Sequence, residues 1–311
     1  MNYNNRLAYM DIFKGITILL VLAQHICGYN AIGKYILSFH MALFFFASGF
    51  VKGNSYNDPH SLIKKLIYFA KCNIFIGITN IVWYFIIIEK LLNRDYQQRW
   101  LDYFTTWFLP TLFWVLLINF VVTKHLKNKL NYVFVIIILL LISFLITFIP
   151  NRKFDIFHML KAPLGSAFYY IGMLSSTIFS GRKYSMRLSF ACAVVLAPII
   201  WALERLNTPV KWYEYDFGFF PIFVLVSLLG IAMVFLISVF IEKCALLEYI
   251  GKNSMIFYCW NFIVYRVVTL VVAKYSLFGD YITYFISFIV STLLLWIICK
   301  STNKWWFFRY K

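Results

Sequence analysis

Apolar segments of about 17 to 23 residues recur along the 311-residue chain with short polar connections between them. Each is long enough to cross a hydrocarbon core about 30 Å thick. The segments fall at 12–28, 36–52, 66–88, 105–123, 131–149, 162–180, 187–203, 217–240, 253–274 and 281–299, about ten in all. A spanning barrel would show two-residue alternation in blocks of about ten residues. These blocks are longer and uniformly apolar, so the expectation is an all-α, polytopic transmembrane helical bundle. The third segment is the most interrupted, by Lys71, Asn73 and Asn80.

Composition agrees: 62% of the residues are hydrophobic and only 13% charged, far from the balance of a soluble globular domain. No repeat, low-complexity tract or soluble appendage divides the chain, which reads as a single integral-membrane domain over 1–311. The first apolar run carries Lys14 and His25 and lacks a small-residue cleavage site, so it is expected to remain as the first span rather than act as a signal peptide. With the N-terminus inside, eighteen Lys and Arg fall on the inner side and ten on the outer, with Arg266 within a span. That positive-inside bias puts both termini in the cytoplasm. The net charge of +17 then reads as topology and attraction to anionic lipid headgroups or an anionic cytosolic substrate, not nucleic-acid binding. The six cysteines have no metal-like spacing, and no metal is expected.

Within the first apolar segment stand Asp11, Lys14 and His25. A charged residue near the centre of a spanning helix costs roughly 2.5–3.5 kcal/mol by insertion scales, so such groups usually face a bundle interior or a water-filled path. At about 100° per residue, the step from Lys14 to His25 returns within about 20° of the same direction, and Asp11 lies about 40° away. The three share a face, with Gly15 on the same side, and Lys14 lies roughly 16 Å below His25 along the axis. A buried neutral imidazole can be purely structural, but on this ridge His25 is also placed to take and pass a proton near neutral pH. His40 opens the next segment, where Ser48 and Gly49 interrupt an aromatic run. Small residues there suit helix packing but leave His40 unexplained. An antiparallel pair would bring His40 to the depth of His25.

Together RLAYMDIFKGITILLVLAQH, FHMALFFFASGF, TWFLPTLFWVL at 106–116, YYIGMLSS at 169–176 and LEYIGKNSMIFYCWN at 247–261 resemble the acyltransferase-three family of membrane acyltransferases. The closest likeness is to its fucose 4-O-acetylase-like branch of sugar O-acetyltransferases. The markers run in family order and cover most of the chain. The resemblance implies an inner-membrane enzyme that moves an acetyl group from cytoplasmic acetyl-CoA to a sugar of a cell-surface polysaccharide or its lipid-linked precursor. His25 would be the essential histidine and general base. The coenzyme phosphates suit Lys14 and Arg6. Donors for the developing oxyanion include His40, Ser48 and Trp107. Direct transfer and a transient acyl-histidine both remain open.

Two positions depart from the family pattern. Many members carry Arg where this chain has Lys14, and Lys lacks the bidentate fork. Related sugar acetylases often carry His where Asn261 stands, and Asn can hydrogen-bond a substrate but cannot act as a base near neutral pH. Asp11 is grouped with His25 as a catalytic candidate, with a capping role or the holding of Lys14 as its alternative.

Other polar features fit two readings each. Arg266 either pairs with Asp216 or Asp280 or snorkels. Glu89, Asp95 and Asp102 either contact sugar hydroxyls or are simply solvated. The stretch NTPVKWYEYDFGF at 207–219 suits either glycan stacking or an interfacial aromatic belt. A rival class is a secondary transporter or flippase for a polar or lipid-linked substrate, which also places His, Lys and Asp within spans but often carries inverted repeats.

Overall fold

The computed structural model describes residues 8–52, 58–83, 107–126, 129–149, 155–179, 185–275 and 279–308. Arg6, Glu89, Asp95 and Asp102 lie outside them. The described residues form an all-helical bundle: α1 (Ala8–Cys27), α2 (Ala31–Leu37), α3 (His40–Lys52), α4 (Pro59–Ile81), α5 (Phe108–His125), α6 (Lys129–Thr147), α7 (Ala162–Phe179), α8 (Met186–Arg205), α9 (Phe220–Ile241), α10 (Ala245–Lys252), α11 (Ser254–Tyr275) and α12 (Asp280–Thr302). Among the described residues, eight segments are long and apolar enough to cross a membrane, counting α2 and α3 together. The segments expected at 66–88 and 162–180 overlap α4 and α7, which are helical but not among those eight, and 84–88 lie outside the described residues. The physical reason is composition. α4 carries His60, Lys64, Lys65, Lys71 and Asn73, and α7 is rich in Gly, Ser and Tyr.

Local chemistry sets several boundaries. Asn30 caps α2 by accepting from the Gly33 amide at 2.8 Å, and Asp58 caps α4 by accepting from Ser61 at 2.9 Å just before Pro59, which is preorganised for a first turn. The segment expected as one span at 36–52 is broken at Ser38–Phe39. A break inside a membrane frees backbone carbonyls that need donors. Here Ser38 Oγ donates to Tyr35 O at 2.7 Å, His40 Nδ1–H to Ile36 O at 3.0 Å, and Ser227 Oγ from α9 to Ser38 O at 3.2 Å.

α1 and α3 lie at the centre, whereas α6 and α8 each bury only 17% of their most apolar window and turn Leu130, Leu141, Leu145, Leu188 and Val195 outward, as lipid-facing helices do. Two helix pairs meet backbone to backbone through glycine. A Cβ on Gly251 would stand 1.7 Å from Asp11 O and one on Gly15 2.3 Å from Leu247 O, which locks α10 against α1. Gly15 is therefore a packing residue against α10, not part of the polar ridge. Likewise Gly49 of α3 abuts Tyr169 O and Gly172 of α7 abuts Phe46 O, at 1.8 and 2.1 Å from their ideal Cβ positions.

Candidate functional site

Lys14 leaves α1 with its ammonium 2.6 Å from Asp11 Oδ1, an i,i+3 pair whose carboxylate side chain is only 11% exposed. The same ammonium lines a cavity of about 230 Å³ bounded by α1, α3, α4, α5, α10 and α11. Lys65 and Lys252 are two further basic residues of its lining, with Ser48, Ser254 and Tyr258 as hydroxyl-bearing ones. Lys65 also lies 5.0 Å from the ring centre of Tyr68, and Lys252 pairs with Glu248 at 3.6 Å. Three cations converging on one pocket favour a polyanion, and the hydroxyls add uncharged hydrogen-bonding capacity. Sequence reasoning singled out Lys14 and Ser48 but not Lys65, Lys252 or Tyr258. The latter lie on helices whose approach to α1 is tertiary information.

α1 continues unbroken from Lys14 to His25, which sets about 16 Å between them along the axis. His25 sits in the last turn of α1 with its side chain exposed. The imidazole stacks on Tyr265 of α11, ring centres 5.2 Å apart and planes within 6°. Arg266 follows, its Nε donating to Tyr265 Oη at 3.3 Å, its guanidinium 3.6 Å from the Phe262 ring centre and its charge felt at His25. The expected partner Asp216 instead accepts from the Gly218 amide at 3.2 Å.

Lys14 meets Ser254 in the cavity and His25 meets Tyr265 eleven residues further along each helix, so α1 and α11 run side by side in parallel register. His40 is near enough to His25 for their charges to interact. Because a carbonyl only accepts, its contact with Ile36 O fixes the proton of the neutral ring on Nδ1 and leaves the lone pair on Nε2. Asn261 is buried on α11 between the cavity and Tyr265, and its Oδ1 has no partner.

Trp107 packs edge-on against the cavity-lining Phe108 at 6.0 Å and stacks on Trp212 at 5.5 Å with planes 13° apart. The 207–219 stretch thus folds inward. Trp212, Tyr215 and Phe217 are core residues, 2%, 1% and 1% exposed, whereas Tyr213 and Phe219 of the same stretch are open. Burial takes Trp212 and Tyr215 out of any glycan-stacking surface and leaves Tyr213 and Phe219 as its outward-facing aromatic side chains. Asp11, about 21 Å below His25 along α1, is placed to hold Lys14 and not to touch the imidazole. Among the described residues, no group of three or more His, Cys, Asp or Glu is arranged to hold a metal ion.

A second polar cluster, absent from the sequence reading, follows α6. Lys161, 3% exposed, donates to Asp155 Oδ2, and the Leu160 amide donates to Asp155 Oδ1 at 2.8 Å. Phe157 and His158 stand at φ of 48° and 56°, a left-handed turn disfavoured for bulky residues and held here by Trp114 Nε1–H to Phe157 O at 3.2 Å and Thr111 Oγ1–H to His158 O at 3.3 Å. Burial pushes the Asp155 carboxyl up, but hydrogen bonds from His158, Lys161 and the Leu160 amide outweigh it and hold it down at about 2. A folded value below the unfolded value of about 3.9 means the stabilisation is complete above that unfolded value and is lost as pH falls toward 2. Asp155→Asn should therefore lower stability at pH 6 by about 2 kcal/mol. The gap from wild type should close between about pH 4 and pH 2, which thermal unfolding in detergent across that range measures. A gap independent of pH would show that the carboxylate's charge plays no part.

Residues 7–300 match the family model described as the acyltransferase domain (Acyl_transf_3). The match spans nearly the whole chain, and the protein belongs to this family of membrane acyltransferases. No curated protein and no solved structure gives a match.

Proposed function

We propose that the protein is an O-acetyltransferase that moves an acetyl group from cytoplasmic acetyl-CoA to a hydroxyl of a cell-surface saccharide or its lipid-linked precursor, in the manner of the fucose 4-O-acetylase-like branch. In this reading about ten helices span the membrane, and both termini lie in the cytoplasm. The observation that carries it is the pairing of a cavity lined by three lysines with an exposed His25 about 16 Å further along the same helix. Coenzyme A has that shape. Its phosphates match the ammonium groups of Lys14, Lys65 and Lys252. From pyrophosphate to sulfur the pantetheine arm runs about twelve bonds, or about 15 Å extended at the reach per bond of a peptide chain.

His25 then accepts the proton of the acceptor hydroxyl as that oxygen attacks the thioester carbon. A C–O bond forms, the C–S bond breaks, and the proton passes from the imidazole to the departing thiolate. Products are the acetyl ester and free coenzyme A. The developing oxyanion needs a donor nearby. Ser48 lines the donor cavity and the Arg266 charge bears on His25, while His40 with its proton on Nδ1 offers Nε2 as an acceptor unless it is protonated. Asp11 holds Lys14 toward the phosphates, with Arg6 as a further phosphate ligand. Family membership favours acyl transfer over transport.

The test is transfer of label from radiolabelled acetyl-CoA to candidate glycans by purified protein, compared with Lys14→Gln. Loss of one phosphate contact should raise the apparent KM for acetyl-CoA about tenfold and leave kcat nearly unchanged, because the contact is the same in ground and transition states. Neither transfer nor coenzyme binding by wild type would overturn the reading. An unchanged KM would remove Lys14 from the donor path.

A further inference from the structure

Between the lysine cavity and His25 the donor's arm must pass α11. Ser254, Met255 and Tyr258 line the cavity, and Tyr265 stacks on His25. Asn261 continues that stripe. It lies three residues after Tyr258 and four before Tyr265, within about 60° of the same direction on the helix. Its side chain is 4% exposed, and its Oδ1 is buried with no hydrogen-bond partner. A buried amide oxygen left unpaired costs about 1–3 kcal/mol, and in a membrane interior no bulk water relieves it. Such an orphan, in line on the helix with the cavity-lining Ser254 and Tyr258, is explained by a donor that arrives with the ligand.

We infer that Asn261 is a donor-binding residue that accepts the pantetheine amide N–H nearest the sulfur, and so sets the depth at which the thioester meets His25. The inference rests on the acetyl-CoA reading above. Lengths agree with it. The amide nitrogen nearest the sulfur is four bonds from the thioester carbonyl carbon, about 5 Å. Asn261 lies about 6 Å below Tyr265 along α11, the residue that marks the level of His25. Phosphates at Lys14 and this amide at Asn261 would fix both ends of a flexible arm, which limits the conformations lost when the thioester is positioned. An Asn at this position would thus serve in recognition of the donor, without acting as a base.

The test compares equilibrium binding of acetyl-CoA with that of an analogue in which an ester oxygen replaces this N–H, using the full-length protein in detergent. Wild type should prefer acetyl-CoA about tenfold, the worth of one buried hydrogen bond. Asn261→Leu, close in volume and unable to accept, should bind both compounds equally and the analogue as wild type does. Where Asn261→Leu does not fold, Asn261→Ala reads the same ratio. A tenfold preference that persists in the variant overturns the inference and leaves the acetyl-CoA reading intact. Equal loss of both compounds also overturns it, by showing that Asn261 only supports the fold. Wild type that binds neither compound overturns the acetyl-CoA reading, and the inference falls with it.

Discussion

Replacing His25 with Ala should lower acetyl transfer by about 10²- to 10⁴-fold, the usual contribution of a positioned general base, with donor affinity changed less than about threefold. The split follows from distance. Lys14, proposed to meet the coenzyme phosphates, stands about 16 Å along α1 from the imidazole, so truncating the ring removes the group proposed to handle the acceptor's proton without disturbing the charged end of the donor site. His25 is also exposed and stacked on Tyr265, so the truncation removes a ring contact and leaves no unpaired buried charge. Single-turnover transfer and calorimetric coenzyme binding on the same preparation check both halves. Undiminished transfer would sink the general-base role. Loss of coenzyme binding in step with transfer would show that His25 acts by shaping the donor site.

What the sequence made legible was everything that depends on one helix. The length of the apolar runs foretold the helices, and the angular step from Lys14 to His25 placed both on the side of α1 that meets α11. Relations between helices were not legible. Lys65 and Lys252 stood out only as inner-side charge, because nothing local says that α4 and α10 bring their ammonium groups to the cavity of Lys14. Gly15, in angle a neighbour of Lys14, packs against the α10 backbone. Tyr265 gave no signal beside Arg266, since an aromatic residue in a membrane span is unremarkable until its ring is seen stacked on an imidazole. The 207–219 stretch was legible by halves. Tyr213, Glu214, Asp216 and Phe219 are at the surface, but Trp212 and Phe217 pack in the core at 5.6 and 4.5 Å from Phe223 of α9. The break at Ser38–Phe39 was hidden because Ser38, His40 and Ser227 supply donors to backbone carbonyls that an unbroken helix would satisfy itself.

The largest structural effect is expected from Gly49→Leu. Membrane helices have little hydrophobic drive to associate, because lipid is as apolar as their side chains, so close backbone approach through small residues carries much of the packing energy. α3 and α7 use Gly49 and Gly172 reciprocally, each facing a carbonyl of the partner helix. A Cβ at Gly49 would sit 1.8 Å from Tyr169 O, and that atom is backbone of a fully buried helix face, which has no rotamer through which to yield. The helices must separate, and α3 also carries Ser48 into the lysine cavity and His40 to the vicinity of His25. The expected cost is about 3 kcal/mol or more, a fall of about 5 °C or more in Tm for a domain of this size, with coenzyme binding lost even though Gly49 is not among the cavity-lining residues. Ser48→Ala is the control one residue away: it removes a cavity hydroxyl without adding volume at the contact, and Tm should move by less than about 2 °C. Thermal unfolding in detergent with and without coenzyme A measures both variants, and an unshifted Tm for Gly49→Leu would mean that α3 and α7 do not meet at this glycine in the folded protein.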